Sequence, residues 1–168
     1  MKTNLVYALK SKRNVRIDIE EYQDYIANSK IQATYEYLIQ FIAKIQLVFN
    51  HETNYQTTNI SPGYMDYTYF SFFTPTMREK KLRFCLVLNH ETIQFELWLM
   101  GLNAEIQEQY WNQFYSYKTK KSHKNMTKLS IYEVVIDDKP NFENPEKLIK
   151  TIVETATEKA TEIEAILL

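Results

Sequence analysis

Asp66, Thr68, Arg83, Cys85, Gln94, Glu96 and Trp98 are the residues of this chain whose types and spacing could do chemistry. They fall in three consecutive runs of aromatic and aliphatic residues, 64–73, 82–88 and 93–99. Each run reads as a β-strand, in which alternate side chains share a face. The 82–88 and 93–99 runs are joined by Asn89-His90-Glu91-Thr92, which has the length and polarity of a hairpin loop. Pairing residue 88 with 93 gathers Leu82, Phe84, Leu86, Leu88, Ile93, Phe95, Leu97 and Leu99 on one face, and a one-residue slip would scatter them. Pairing residue 73 with 82 then sets Asp66, Thr68 and Phe70 on the opposite face beside Arg83, Cys85, Gln94, Glu96 and Trp98. In that register Glu96 faces Cys85, with Arg83 diagonal to it. Two carboxylates, a guanidinium and an indole make a pocket for a small polar ligand. Asp66, Thr68, Arg83, Gln94, Glu96 and Trp98 are therefore the candidate ligand-binding set. The plainer reading is a partly solvated sheet face whose Arg–Glu pair contributes about 0–1 kcal/mol.

Catalytic readings of the same residues are weaker. Asp66 and Glu96 follow the order of the two acids that hold Mg²⁺ in many nucleases, but the position two after Glu96 is Trp98 where that chemistry needs a lysine. Asn-His-Glu-Thr occurs at 50–53 and again at 89–92, so His51, Glu52, His90 and Glu91 could supply metal ligands if the two segments met. The close His or Cys spacing usual in zinc sites is missing. Cys85 would need a neighbouring base to become a nucleophile. In a central strand it reads better as a small buried apolar group. An enzyme using Asp66 and Glu96 as acid and base or as metal ligands is the alternative to a binding domain. No metal and no cofactor is expected.

Composition narrows the field. A chain of 168 residues suits one domain with its own core. Apolar residues make up 45% and charged residues 24%, and the formal charge of -1 does not favour a polyanion or an anionic membrane as partner. There are 13 Tyr and 9 Phe but only 2 Gly, and no glycine-rich phosphate loop occurs. The tyrosines and the basic runs 10–16 and 118–128 could bind nucleic acid by stacking and charge. No aromatic-basic motif of a known module accompanies them, so nucleic acid is disfavoured. The single cysteine rules out an internal disulfide framework and suits a reducing, cytoplasmic setting. No window approaches the roughly 18 apolar residues of a membrane span.

Helices must position the three strands. Residues 1–17, with Lys2, Lys10, Lys12, Arg13 and Arg16, read as a basic arm, and 18–168 as one domain. Asp18 and Glu21 have capping-box spacing and predict a helix to about residue 29. Ile31, Tyr35, Leu38, Ile42, Ile45 and Phe49 step by three and four, predicting one continuous helix over 31–50 on the sheet, widened by Phe41, Leu47 and Val48. Thr74-Pro75-Thr76 ends the first strand and 77–81 reads as a charged connection. Asn103 caps a helix to about 117, residues 129–136 form a fourth strand, and Asn144-Pro145 opens a last helix burying Ile149, Ile152, Ala156, Ala160, Ile163 and Leu167. The fold class is α+β, an antiparallel sheet of three to four strands packed against helices.

The strings Gly63-Tyr64-Met65-Asp66-Tyr67-Thr68-Tyr69-Phe70-Ser71-Phe72, Asn89-His90-Glu91, Phe95-Glu96-Leu97-Trp98-Leu99, Gln107 to Trp111 and Ile31-Gln32-Ala33-Thr34-Tyr35 resemble a bacterial family, domain of unknown function 7000, over roughly residues 18–168. The resemblance implies one compact domain. It transfers no activity, cofactor or catalytic residue. The residues favour a cytoplasmic, non-catalytic binding or protein-interaction domain, its partner a protein or a small polar ligand.

Overall fold

A computed structural model of the chain describes residues 14–117, 127 and 129–167. Most of the expected basic arm, and nearly all of the 118–128 segment, lie outside the described residues. Two compact units divide the chain between Leu38 and Ile39. The first holds helix α1 (Val15–Asn28) and the start of α2 (Ile31–Glu52). α1 begins three residues before the expected Asp18. Its N-cap is Asn14, whose side chain makes no capping bond, and Asp18 sits in the first turn instead. No residue of α1 is buried.

The second unit continues α2 and adds the sheet: β1 (Gln56–Thr57), β2 (Tyr67–Phe73), helix α3 (Pro75–Glu79), β3 (Leu82–Asn89), β4 (Gln94–Gly101), α4 (Ala104–Tyr117), β5 (Tyr132–Asp137) and α5 (Pro145–Leu167). The five strands lie in sequence order and every pairing is antiparallel. The α+β class stands, with one strand more than expected. The extra strand is β1, two residues too short and too polar to show an alternation in the sequence.

The helical periodicity of α2 holds in its central part. Leu38, Phe41, Ile42, Ile45 and Phe49 are buried, whereas Leu47 is 69% exposed and does not widen that face. Phe41 meets Phe95, and Phe49 lies against Phe70 and Phe72 with ring centroids 5.8 and 4.5 Å apart. Phe114 of α4 packs on Tyr132 at 4.8 Å. α5 buries Ile149, Ile152, Ala156, Ala160, Ile163 and Leu167, as its spacing predicts. The 77–81 connection is in part helical. Thr74 accepts a hydrogen bond from the Met77 N–H and Pro75 occupies the first turn, a cap-and-proline start that builds α3.

Both sheet registers differ from expectation. β3 and β4 pair with Leu88 opposite Phe95, not residue 93. The slip is two residues, so every side chain that stays in a strand keeps its face; Ile93 drops out into the loop and is exposed. Asn89 is the cause: its Oδ1 accepts from the backbone of Glu91 and Thr92, which winds a tight loop over 90–93, and Ile93 takes a left-handed φ of 50°. β2 and β3 pair with Thr68 opposite Leu88 and Phe72 opposite Phe84. This slip is one residue, which turns Thr68, Phe70 and Phe72 onto the core face and Tyr67, Tyr69 and Ser71 onto the other. β2 begins only at Tyr67, three residues later than the expected start at 64. Gly63, at φ 71°, and Met65, at φ 61°, make the segment before it a turn.

Candidate functional site

The outer face of the sheet carries Tyr67, Tyr69, Ser71 and Phe73 of β2, Arg83, Cys85, Val87 and Asn89 of β3, Gln94, Glu96, Trp98 and Met100 of β4, and Glu133 and Val135 of β5. Cys85, Val87 and Trp98 form a buried cluster flanked by Tyr67, Tyr69 and Met100, all of them strand residues. Of the six candidate ligand-binding residues, Arg83, Gln94, Glu96 and Trp98 share this face. Asp66 and Thr68 do not.

Glu96 is opposite Val87, not Cys85. The residue is only 8% exposed, and both carboxylate oxygens accept hydrogen bonds. The Trp98 indole N–H donates to Oε2 at 2.6 Å and the Asn89 amide donates to Oε1 at 3.0 Å. Tyr67 stands edge-on to the indole at 5.0 Å. Burial and the neighbouring Glu96 charge both raise the Tyr67 phenol above its ordinary pKa.

Asp66 lies in the turn before β2. One of its oxygens accepts from the backbone N–H groups of Tyr64 and Tyr67 at 2.9 and 2.7 Å. These bonds, that from Tyr64 foremost, lower its pKa. The Asp66 carbonyl accepts from the backbone N–H of His90, and the His90 ring meets the Thr68 hydroxyl at 2.8 Å. Thr68 also donates to the Pro62 carbonyl. Burial lowers the His90 pKa, against a weaker opposing pull from Asp66. Gly63-to-Thr68, Asn89-His90 and Glu96-to-Trp98 are thus one hydrogen-bonded network that ties the turn before β2 to the β3–β4 hairpin.

Arg83 sits at the other end of the face, opposite Met100. It is four residue steps along β3 from Val87, the partner of Glu96, a distance of about 13 Å along the strand. The expected Arg–Glu pair does not form. Arg83 is half-buried and its guanidinium bonds the Cys85 thiol, but its buried Nε has no hydrogen-bond partner, the sole such side-chain atom among the described residues. Beside it Cys85 is within 3.2 Å of both the Ser71 hydroxyl and the Met100 sulfur, and burial raises its thiol pKa.

A pocket of about 400 Å³ opens at this end, lined by Thr58, Phe73, Arg78, Lys81, Leu82, Arg83 and Leu102. Arg78 lies over the Phe73 ring, 5.5 Å from its centroid. Among the described residues no carboxylate forms an ion pair with Arg78, Lys81 or Arg83. Arg78 and Lys81 are not among the candidates of the sequence, where 77–81 has only the look of a charged connection. The Thr74-Pro75 start of α3 was the signal that could have placed them.

A family described as a domain of unknown function (DUF7000) matches residues 15–167. The chain belongs to that family. No curated protein and no solved structure matches it. The DUF7000 match covers both ends of the outer face and the network around Asp66. Among its described residues no three His, Cys, Asp or Glu side chains gather as metal ligands, so His51, Glu52, His90 and Glu91 do not form a common cluster. No helix among the described residues is long and apolar enough to cross a membrane.

Proposed function

We propose that this protein is a non-catalytic binding domain that recognises an anionic ligand at the Arg83 end of the sheet's outer face. The observation that carries this reading is the buried, unpartnered Arg83 Nε. A buried donor left without an acceptor costs roughly 1–3 kcal/mol, more when charged, and a ligand oxygen would remove that cost. The acids considered for catalysis support the same reading. Glu96 has both oxygens engaged by protein donors, and Asp66 serves two backbone N–H groups. Cys85 is buried with its thiol pKa raised, which opposes thiolate formation.

The test is thermal unfolding of the intact protein against a panel of anions, cations and neutral metabolites at fixed ionic strength. A ligand selective for the folded state raises Tm as its concentration rises. Anions should raise it in wild type and fail to do so in Arg83→Met. A response confined to cations or neutral compounds would overturn the reading.

A further inference from the structure

We infer that the Arg78–Lys81–Arg83 pocket binds a phosphate monoester, a dianionic phosphate carried on an apolar or aromatic body. The inference rests on the anion-binding reading above and names its ligand class.

Three cations line the pocket and no carboxylate does. The chain as a whole carries a formal charge of -1, so this concentration of positive charge is local. A carboxylate would bring one negative charge and two oxygens to three cations. A phosphate monoester brings close to two charges near neutral pH and three terminal oxygens, one for each side chain. Guanidinium groups suit such an oxyanion, because their N–H groups are fixed in a planar fork that meets two oxygens at once.

The pocket is larger than the phosphate group needs. Its volume of about 400 Å³ lies in the range that holds small organic ligands. Phe73, Leu82 and Leu102 supply apolar wall, which inorganic phosphate would leave uncovered and an organic body would cover. The walls are also held in place. Lys81 takes a left-handed φ of 58°, and its backbone is fixed by hydrogen bonds from its own N–H to the Arg78 carbonyl and from the Leu102 N–H to its carbonyl. Thr58 is tied to Ser71 through both its N–H and its hydroxyl. A preorganised site loses less conformational entropy when it is filled.

Calorimetric titration of the full chain at pH 8 tests this with three probes. Phenyl phosphate has both the second charge and the ring. Phenyl sulfate has nearly the same shape with one charge, and inorganic phosphate has no ring. Phenyl phosphate should bind at least about tenfold more tightly than either, and its affinity should fall as salt is added. Arg83→Met and Arg78→Gln should each weaken it at least about fivefold while leaving Tm of the unliganded protein in place. Arg78 is exposed, so its variant keeps the test valid if the Arg83 variant folds poorly. Equal binding of all three probes would overturn the ligand class and leave anion binding standing. Binding of phenyl phosphate untouched by both substitutions would overturn the pocket. No heat and no Tm shift with any of the three would overturn both the class and the reading on which it rests.

Discussion

The two ends of the outer sheet face treat charge in opposite ways. At one end Glu96 is almost fully buried, and the protein provides an indole N–H and an amide N–H for its two oxygens. At the other end Arg83 has a buried N–H and no acceptor, with Arg78 and Lys81 beside it. Both ends share the antiparallel strands β2 to β4, but the basic end also draws on α3 and the turn after it. A buried charge whose partners come from the protein holds the fold together. A buried N–H without an acceptor subtracts from stability, and a ligand oxygen that completes it would remove that cost.

The acid end should be the more sensitive to substitution. Gly63 stands at its start with φ 71°, and an added Cβ would come within 2.2 Å of the Tyr67 carbonyl oxygen. Gly63→Ala should cost about 2–4 kcal/mol, through left-handed strain and that clash. Denaturant midpoints measure it, and a loss below about half a kcal/mol would mean the turn is not held as described. Glu96→Gln comes next. One glutamine oxygen can accept from Trp98 or Asn89, but its NH₂ must then face the other donor. The expected cost is about 1–3 kcal/mol with little change in shape. An unchanged midpoint would place Glu96 in water.

The acid end should also respond to pH. Burial holds the His90 pKa below its ordinary value, so the unfolded chain takes up this proton first as pH falls. Stability from neutral, buried His90 is complete above about pH 7 and declines as pH drops through about 6.5 toward the lower folded value. Asp66 acts in a separate window. Its folded pKa is lowered, so its contribution is present above about pH 4 and is lost as pH falls further, through the folded value. Unfolding of wild type and His90→Asn at pH 7.5 and 5.5 checks the first window. The variant should lose less stability between the two pH values, and parallel losses would assign the effect to another group.

The fold was legible wherever one periodicity ran long enough. Six inward residues of α5, and Leu38, Ile42, Ile45 and Phe49 of α2, announce themselves by spacing. Seven of the eight residues of the expected apolar face of the β3–β4 hairpin survived an error in register, because a slip of two residues preserves alternation; Ile93 fell into the loop and is exposed. β2 did not survive its error. Tyr64 and Met65 look like strand residues by type, but the left-handed φ angles of Gly63 and Met65 and the backbone bonds accepted by Asp66 make the segment a turn. That single residue moved Thr68 to the core and separated Asp66 from Glu96. Arg83, Glu96 and Trp98 were correctly assigned to one face, but facing is not contact. The basic pocket escaped because Arg78 and Lys81, which join Arg83 there, come from a five-residue helix and the turn after it, too short to show a period.

The smallest expected effect bears most directly on the comparison. An Arg83–Glu96 pair, the natural reading of the sequence, would couple the two ends. Removing either partner would then cost stability, and removing both would cost less than the sum of the two. With about 13 Å between them along the strands and no shared partner, the two substitutions should act independently. Arg83→Met alone should be close to neutral or slightly stabilising, since it replaces an unpartnered buried donor with apolar volume. Glu96→Gln with Arg83→Met should then equal the sum of the single changes within about 0.5 kcal/mol. The cycle needs only four denaturation curves in ligand-free buffer. A coupling above about 1 kcal/mol would join the two ends into one charge network and would supply Arg83 with a partner from its own chain, so that no ligand would be needed to explain it.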